Sequence, residues 1–257
     1  MKVTRRKISV ATLNNHFFDN NSPQLDSFGR VLVLTLILVL LLLFVNIDIN
    51  SVKFGVEPAL VSIFTALTLI YALRASGVSK RYQRIALLLI GIALAATLVL
   101  ISITVFGGDK INAPQVYALS PIWVLIAIVT PIATTHRLLM HREVKINTMF
   151  AAIASYLQIA VAFALTFMLL DTFMNGHFFQ QAHQSTVYMY YSLVTITTVG
   201  YGDFTAANDT ARAASVMESL IGQIYLVVVV AMLVGLFVVY REQRRSLEQS
   251  RSTNKSN

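Results

Sequence analysis

The residues best suited to chemistry form a short run at 195–203, which reads Thr-Ile-Thr-Thr-Val-Gly-Tyr-Gly-Asp. Gly200 and Gly202 are separated by one residue, and glycine adopts left-handed backbone angles that other residues resist. Successive carbonyl groups from Thr198 to Tyr201 can therefore face one axis. Because a row of carbonyl dipoles can replace the hydration shell of a large alkali cation, the run predicts a cation-coordinating site.

The residues before this run predict a short helix that points at the site. Residues 186–197 would form a half-spanning helix of about 18 Å at 1.5 Å per residue. The C-terminal end of such a helix carries a negative partial charge, which favours a nearby cation. The uncharged stretch 184–202 is rich in Ser, Thr, Tyr and Gly. It is too polar to face lipid, so it must be buried among other helices or line water.

The composition indicates a membrane protein. Of the 257 residues, 56% are hydrophobic and 12% charged, whereas soluble domains have roughly 45 to 50% apolar and about 25% charged residues. The chain has no cysteine, which excludes disulfide scaffolds, thiolate metal sites and cysteine nucleophiles. A helix needs about 20 apolar residues to cross a bilayer, and the sequence predicts six spans, at 31–47, 58–73, 85–106, 116–134, 146–170 and 213–240.

The basic residues predict the orientation of these spans. Six spans place both termini on one side, and all but three of the 20 basic residues, Lys53, Lys110 and Arg212, lie on that side. The positive-inside rule then makes both termini cytoplasmic. The net charge of +8 is spread over several short segments, so no single patch for nucleic acid is expected.

The run Thr-Val-Gly-Tyr-Gly-Asp at 198–203 resembles the signature of the potassium channel family. Ser192, Thr195 and Thr197 also fit the pore-helix pattern of two-helix bacterial pore domains. The resemblance implies an all-α membrane protein of a prokaryotic inner membrane, with six transmembrane helices and a re-entrant pore helix and filter loop between the fifth and sixth. It implies passive conduction of K+, no cofactor and no enzymatic activity.

The resemblance also divides the chain into four parts. Residues 1–28 would be a cytoplasmic N-terminal segment, 29–145 a four-helix peripheral membrane module, and 146–240 the pore domain. Residues 241–257 would be a short basic cytoplasmic tail. A basic helix end in contact with anionic membrane lipid is a sufficient explanation of that tail.

The filter residues take their roles from the same resemblance. K+ would be coordinated by the carbonyl groups of Thr198, Val199, Gly200 and Tyr201, with the Thr198 hydroxyl contributing at the cytoplasmic end and Gly202 completing the filter. The Tyr201 ring would pack behind the filter. Since the chain supplies one such loop and a closed ring of carbonyls needs four, we expect a homotetramer.

Residues around the filter are candidates for its support. Tyr190 and Tyr191 occupy pore-helix positions where many relatives have tryptophans that brace the filter, and Thr197 precedes the filter directly. Asp203 would either raise the cation concentration at the outer mouth or cap a neighbouring turn. Val194 stands where some relatives carry a carboxylate, so an inactivation mechanism that needs that acid is not expected here.

Three residues of the sixth predicted span are further candidates. Glu218 is the only carboxylate inside a predicted span, which makes it a functional candidate. It would hydrogen-bond behind the pore helix, to a threonine hydroxyl or to Arg212, or would sense ions or protons. Gly222 and Gly235 are candidate gating hinges, because glycine weakens a helix by roughly 1 kcal/mol relative to alanine. Close helix packing at a small residue is the alternative for Gly222.

The first four spans lack the features of a voltage sensor. No arginine lies at 116–135, so steep voltage gating is not expected, given about 2.3 kcal/mol per charge and 100 mV. His136 and His141 are five apart, which does not suit a helical metal site. His177 and His183 of the outer loop would be solvated or would alter cation entry on protonation. The alternative functions are a non-conducting or regulatory channel-like subunit and a component of a pore-loop potassium transporter.

Overall fold

The computed structural model describes residues 28–44, 57–75, 80–107, 121–140, 146–173, 177–181 and 183–253. Predicted features at 1–27, 45–47, 116–120, His141 and 254–257 lie outside these residues. Within the described ranges the fold is all-helical, with seven helices: α1 (Phe28–Phe44), α2 (Glu57–Ala75), α3 (Lys80–Gly107), α4 (Pro121–Met140), α5 (Ile146–Phe173), α6 (Ser185–Ile196) and α7 (Asp209–Thr253).

Two helices are long and apolar enough to cross a membrane, at Thr148–Phe173 in α5 and Asp209–Gly235 in α7. They correspond to the fifth and sixth predicted spans. The other four predicted spans correspond to α1, α2, α3 and α4. The apolar segments of these helices are shorter, at Phe28–Phe44, Ser62–Ala75, Gln83–Thr97 and Pro121–His136. The structure thus supports a helical membrane protein in which two long spans flank α6.

Helix α5 lies at the centre of the main hydrophobic core. It contacts α1, α4, α6 and α7, and 61% of its apolar span is buried, against 22% for α7. Small residues allow this close approach, because they let helix backbones come near one another in a membrane. The fully or nearly fully buried alanines of α5 are Ala151, Ala154, Ala160 and Ala164.

A second hydrophobic cluster joins α2, α3 and α4. Trp123 of α4 is 4% exposed, and it packs with Leu69 of α2 and Ile90 of α3. Its Nε1 donates a hydrogen bond to Thr97 Oγ1 of α3 at 3.5 Å. Helix α3 contacts only α2 and α4 among the helix pairs with substantial contact in the described ranges, so it lies farthest from α6.

The connection between α4 and α5 is short, since α4 ends at Met140 and α5 begins at Ile146. The two helices also pack against each other, and α1 contacts both α5 and α6. Of the peripheral helices, α1 and α4 therefore pack directly on the α5–α6 unit of their own chain.

Helix α7 is longer than the predicted sixth span. It continues from 240 to Thr253, so most of the predicted basic tail at 241–257 is a continuation of the helix. The reason is local, because no glycine or proline follows Gly235 and the residues there include the good helix formers Arg, Glu, Gln and Leu.

Candidate functional site

The candidate site begins with the short helix α6, which matches the predicted pore helix to within one residue at each end. The N-cap residue Gln184 makes no side-chain hydrogen bond to the first turn of the helix. Isolated helices of this length are marginal in water, so tertiary packing must stabilise α6. Its buried face consists of Ser185, Tyr188, Met189, Ser192 and Ile196.

The backbone after α6 folds back onto the end of the helix. Four consecutive amides donate hydrogen bonds of 3.0 to 3.2 Å to carbonyls of the last turns. Carbonyls at a helix C-terminus otherwise lack partners, so the filter and the helix satisfy each other. The bonds run from Thr197 to Leu193, from Thr198 to Thr195, and from both Val199 and Gly200 to Val194.

The backbone conformation of the filter alternates in handedness. Thr198, Gly200 and Gly202 have φ of 61°, 57° and 79°, with negative φ at the residues between them. In an extended strand successive carbonyls point to opposite sides, and turning over every second peptide plane brings them to the same side. An alternation of this kind favours the row of parallel carbonyls that the glycine spacing predicts.

Thr198 is the one non-glycine residue with positive φ in the described parts of the chain. For a β-branched residue this conformation is an outlier and costs roughly 1 to 2 kcal/mol. Backbone strain of this kind persists where surrounding bonds fix it, and it clusters at functional sites. Here the bond from Thr198 N to Thr195 O, 3.0 Å long, helps to hold it.

The carbonyl row lies at the surface of a single chain. The Val199 side chain is 52% exposed and that of Tyr201 71% exposed. Behind the row, between α6 and α7, is an open cavity of about 520 Å³ whose lining includes Tyr190, Thr195 and Val216. One chain thus leaves both sides of its filter uncovered.

The two tyrosines proposed as filter support occupy different places. Tyr190 Oη donates to Asp203 Oδ2 at 2.8 Å. Tyr191 Oη instead donates to Ser215 Oγ of α7 at 2.9 Å. Tyr190 thus connects α6 to the outer end of the filter, whereas Tyr191 connects α6 to α7. Thr197 Oγ1 bonds back to Leu193 O at 2.6 Å.

An aromatic cluster around the filter exit was missed from the sequence. Phe178 and Phe179 of the outer segment are 0% and 2% exposed. The Phe179 ring centre lies 5.1 Å from that of Tyr191 and 5.9 Å from that of Phe204, which follows the filter. Ala207 N donates to Phe178 O at 2.9 Å. The adjacent phenylalanines Phe178 and Phe179 in an otherwise polar segment were the sequence feature that could have indicated this cluster.

Glu218 lies where α5, α6 and α7 meet. It is 0% exposed, and its Oε1 is hydrogen-bonded to Ser192 Oγ, which also donates to Ala160 O at 2.7 Å. The expected partners were wrong, because Arg212 pairs with Asp209 at 3.2 Å and the hydroxyl is that of a serine. Ser192 has one hydroxyl hydrogen for two acceptors, so a proton on Glu218 would complete both bonds.

Gly222 packs against the end of α6. A Cβ built on Gly222 would overlap Ile196 Cγ1 and would lie 3.3 Å from Ile196 O. The same carbonyl accepts a 2.8 Å hydrogen bond from Tyr156 Oη of α5, a contact that the sequence did not suggest. Ile196 is therefore held between an α5 tyrosine and an α7 glycine. A Cβ at Gly235 would meet nothing within 4 Å in the described residues.

The geometry defines a class of protein, a helical membrane protein with a short helix and a glycine-containing loop between two long apolar helices. Residues 155–239 match a family described as ion channel. The match begins within α5, includes α6 and the filter, and ends within α7. It identifies an ion channel pore domain, and the family is not one of enzymes. No curated protein and no solved structure matches the chain.

The contact at Gly222 predicts a size-complementary pair. Gly222→Ala should destabilise the protein by about 1 to 3 kcal/mol, because the added methyl overpacks against Ile196. Ile196→Ala removes the obstructing atoms, so the double variant should be more stable than the sum of the two single effects. Thermal unfolding of the purified protein measures this, with Gly235→Ala as the control in open space. Strict additivity would contradict the contact.

The buried carboxyl predicts a difference between two substitutions. Glu218→Gln keeps the shape and a hydrogen bond to Ser192, so stability should change by less than about 1 kcal/mol. Glu218→Ala leaves a cavity and removes one of the two hydrogen bonds of the Ser192 hydroxyl, and should cost about 2 to 5 kcal/mol. Equal losses in the two variants, measured by thermal unfolding, would show that a neutral hydrogen-bonding group does not suffice at this position.

Proposed function

We propose that the protein is a potassium-selective channel, which conducts K+ passively through a pore formed by four identical subunits. The observation that carries this proposal is the alternating φ at Thr198, Gly200 and Gly202, in a Thr-Val-Gly-Tyr-Gly run that directly follows a half-spanning helix. The ion channel match at 155–239 supports the same conclusion.

Selectivity for K+ is supported by the chemistry of the row. The ligands of the ion would be the carbonyl oxygens from Thr198 to Tyr201. Their dipoles replace the hydration shell of K+, and no charged side chain takes part. The Thr198 side chain is exposed and has no hydrogen bond within the described residues, which leaves its hydroxyl available at the cytoplasmic end. Asp203, the charged residue nearest the row, lies beyond it at the outer mouth.

The tetramer is supported by what one chain leaves uncovered. A single row of carbonyls can provide one side of an ion cage, and a closed ring needs rotational symmetry. The exposed filter residues, the open cavity behind them and α7, with only 22% of its apolar span buried, are the surfaces that adjoining subunits would cover. The exposed apolar residues of α7 include Val216, Met217, Leu220, Ile224, Val227 and Val234.

We further propose six spans with both termini in the cytoplasm of a prokaryotic cell, with the peripheral module at 29–145 and the pore domain at 146–240. Channel opening should depend weakly on voltage, because α4 has no arginine from Pro121 to Thr135. A charge must cross the membrane field to do work in it. Gly222 and Gly235 remain the candidate hinges, although the close contact of Gly222 with Ile196 favours a packing role for that residue.

The alternative functions make different demands. A pore-loop potassium transporter normally carries four pore loops in one chain, whereas this chain has one. A non-conducting or regulatory subunit would not need the strained conformation of Thr198, which costs free energy and coordinates nothing unless an ion passes.

Conduction is tested by reconstituting the full chain in planar bilayers with unequal K+ and Na+. The reversal potential should follow the K+ gradient. Gly200→Ala should abolish this selectivity, because a Cβ at φ 57° is strained although no atom lies within 4 Å of it. Gly91→Ala, in open space on α3, is the matched control and should conduct normally. Equal K+ and Na+ permeability of the unchanged protein would refute the selectivity.

The subunit number is tested by native mass measurement of the solubilised protein. The expected mass is about four times the 28.5 kDa of one chain, because closure of the carbonyl ring needs four subunits. A stable monomer or dimer that still conducts K+ selectively would contradict the tetramer while leaving the channel assignment intact.

A further inference from the structure

A row of hydrogen-bonded, buried polar side chains joins α5 to the peripheral helices α1 and α4. Gln158 of α5 donates through Nε2 to Thr35 Oγ1 of α1 at 3.4 Å, and its Oε1 accepts from Thr134 Oγ1 of α4 at 3.2 Å. Gln158 is 3% exposed, and both threonines are 0% exposed. We call these three residues the polar joint.

Gln158 relies on the polar joint for its hydrogen bonds more than Thr35 and Thr134 do. Thr35 Oγ1 donates to Val31 O at 2.8 Å. The single hydroxyl hydrogen of Thr134 is shared between Thr130 O at 2.9 Å and Gln158 Oε1. Each hydroxyl therefore has a partner within its own helix. The amide of Gln158 has both its described partners on other helices. Since an unpaired amide is costly in a water-free interior, Gln158 favours arrangements that keep α1 and α4 together against α5.

The opposite face of α5 holds the pore helix and α7. Residues 152, 156 and 160 are spaced by four and share one helix face. Gln158 is two residues from both 156 and 160, which puts it about 200° around the helix on the other side. The contacts of the first face are Tyr225 Oη to Ala152 O at 2.8 Å, Tyr156 Oη to Ile196 O at 2.8 Å and Ser192 Oγ to Ala160 O at 2.7 Å.

We propose that Gln158 is a positioning residue through which the peripheral helices set the position of α6, and thereby the K+ affinity of the filter. This inference rests on the proposed channel function. A movement of α1 or α4 is transmitted by the joint to α5, whose other face anchors Ile196 and Ser192. The first amides of the filter bond to the last carbonyls of α6, so a displacement of α6 reaches the carbonyl row.

The short connection at 141–145 makes this route direct. Helices α4 and α5 pack side by side within one chain, and α5 begins at Ile146, soon after α4 ends at Met140. These lateral contacts, and that of α1 with α5, offer a route for coupling between the peripheral module and the pore. At the joint, side-chain hydrogen bonds connect α5 to both α1 and α4.

The test measures K+ binding by the full-length protein in detergent. Thermal unfolding is followed at increasing KCl, with N-methyl-D-glucamine chloride keeping the ionic strength constant, and yields the K+ concentration for half-maximal stabilisation. Gln158→Met removes both bonds of the joint, Thr35→Val removes its bond to α1, and both substitutions retain side-chain size. Each should raise that concentration about fivefold. The double variant should show no further increase, because both changes break the same connection.

Thr68→Val is the matched control. Thr68 of α2 is 3% exposed, and its hydroxyl bonds Phe64 O of its own helix at 2.8 Å. This variant should leave the half-stabilising K+ concentration unchanged. A purely structural role for Gln158 would lower the unfolding temperature at every K+ concentration without moving the midpoint, which would overturn the proposal.

Two other outcomes also decide the question. Additive shifts in the double variant would mean that Thr35 and Gln158 act separately, and would overturn the joint as the route. If K+ fails to stabilise even the unchanged protein, the proposed function fails and this inference fails with it. K+ stabilisation with an identical midpoint in all variants would overturn the inference alone.

Discussion

The attachment of the C-terminal end of α6 is the constraint on which the pore structure depends. The amides of Thr197 and of the first three filter residues bond to the carbonyls of its last turns, so the position of the filter depends on the position of those carbonyls. Tyr156 donates to the carbonyl of Ile196 from one side, and Gly222 leaves room for the Ile196 side chain on the other. Because the helix is short and poorly capped, these contacts from α5 and α7 substitute for intrinsic helix stability.

Two glycines illustrate how one residue type meets two different constraints. Gly200 has open space around it but a φ of 57°, so a side chain there would be strained by its own backbone. Gly222 lies inside a regular helix, and a Cβ there would overlap Ile196. The first glycine sets the direction of a carbonyl, and the second sets the distance between α7 and α6. Replacement of either by alanine acts on the filter by a separate physical route.

The filter and the pore helix could be predicted from the sequence because their information is local. Alternating glycines determine the backbone handedness, and the uncharged polar stretch before them could not face lipid. The importance of Glu218 was also predictable, since a carboxylate stands out in an apolar span. Its partner Ser192 was not, because that contact depends on the rotation of α7 relative to α6. A charge-based search favoured Arg212, which has a nearer partner in Asp209.

The contacts of Tyr156 and Gln158 could not be predicted from the sequence for a related reason. Each is a single polar or aromatic residue in a long apolar run, and neither forms a motif with its sequence neighbours. Their significance comes from helix geometry, since two residues along α5 separate opposite faces. One face meets α6 and α7, and the other meets α1 and α4. Because α5 contacts both halves of the chain, a change among the peripheral helices can reach α6 through it, in addition to the direct contact between α1 and α6.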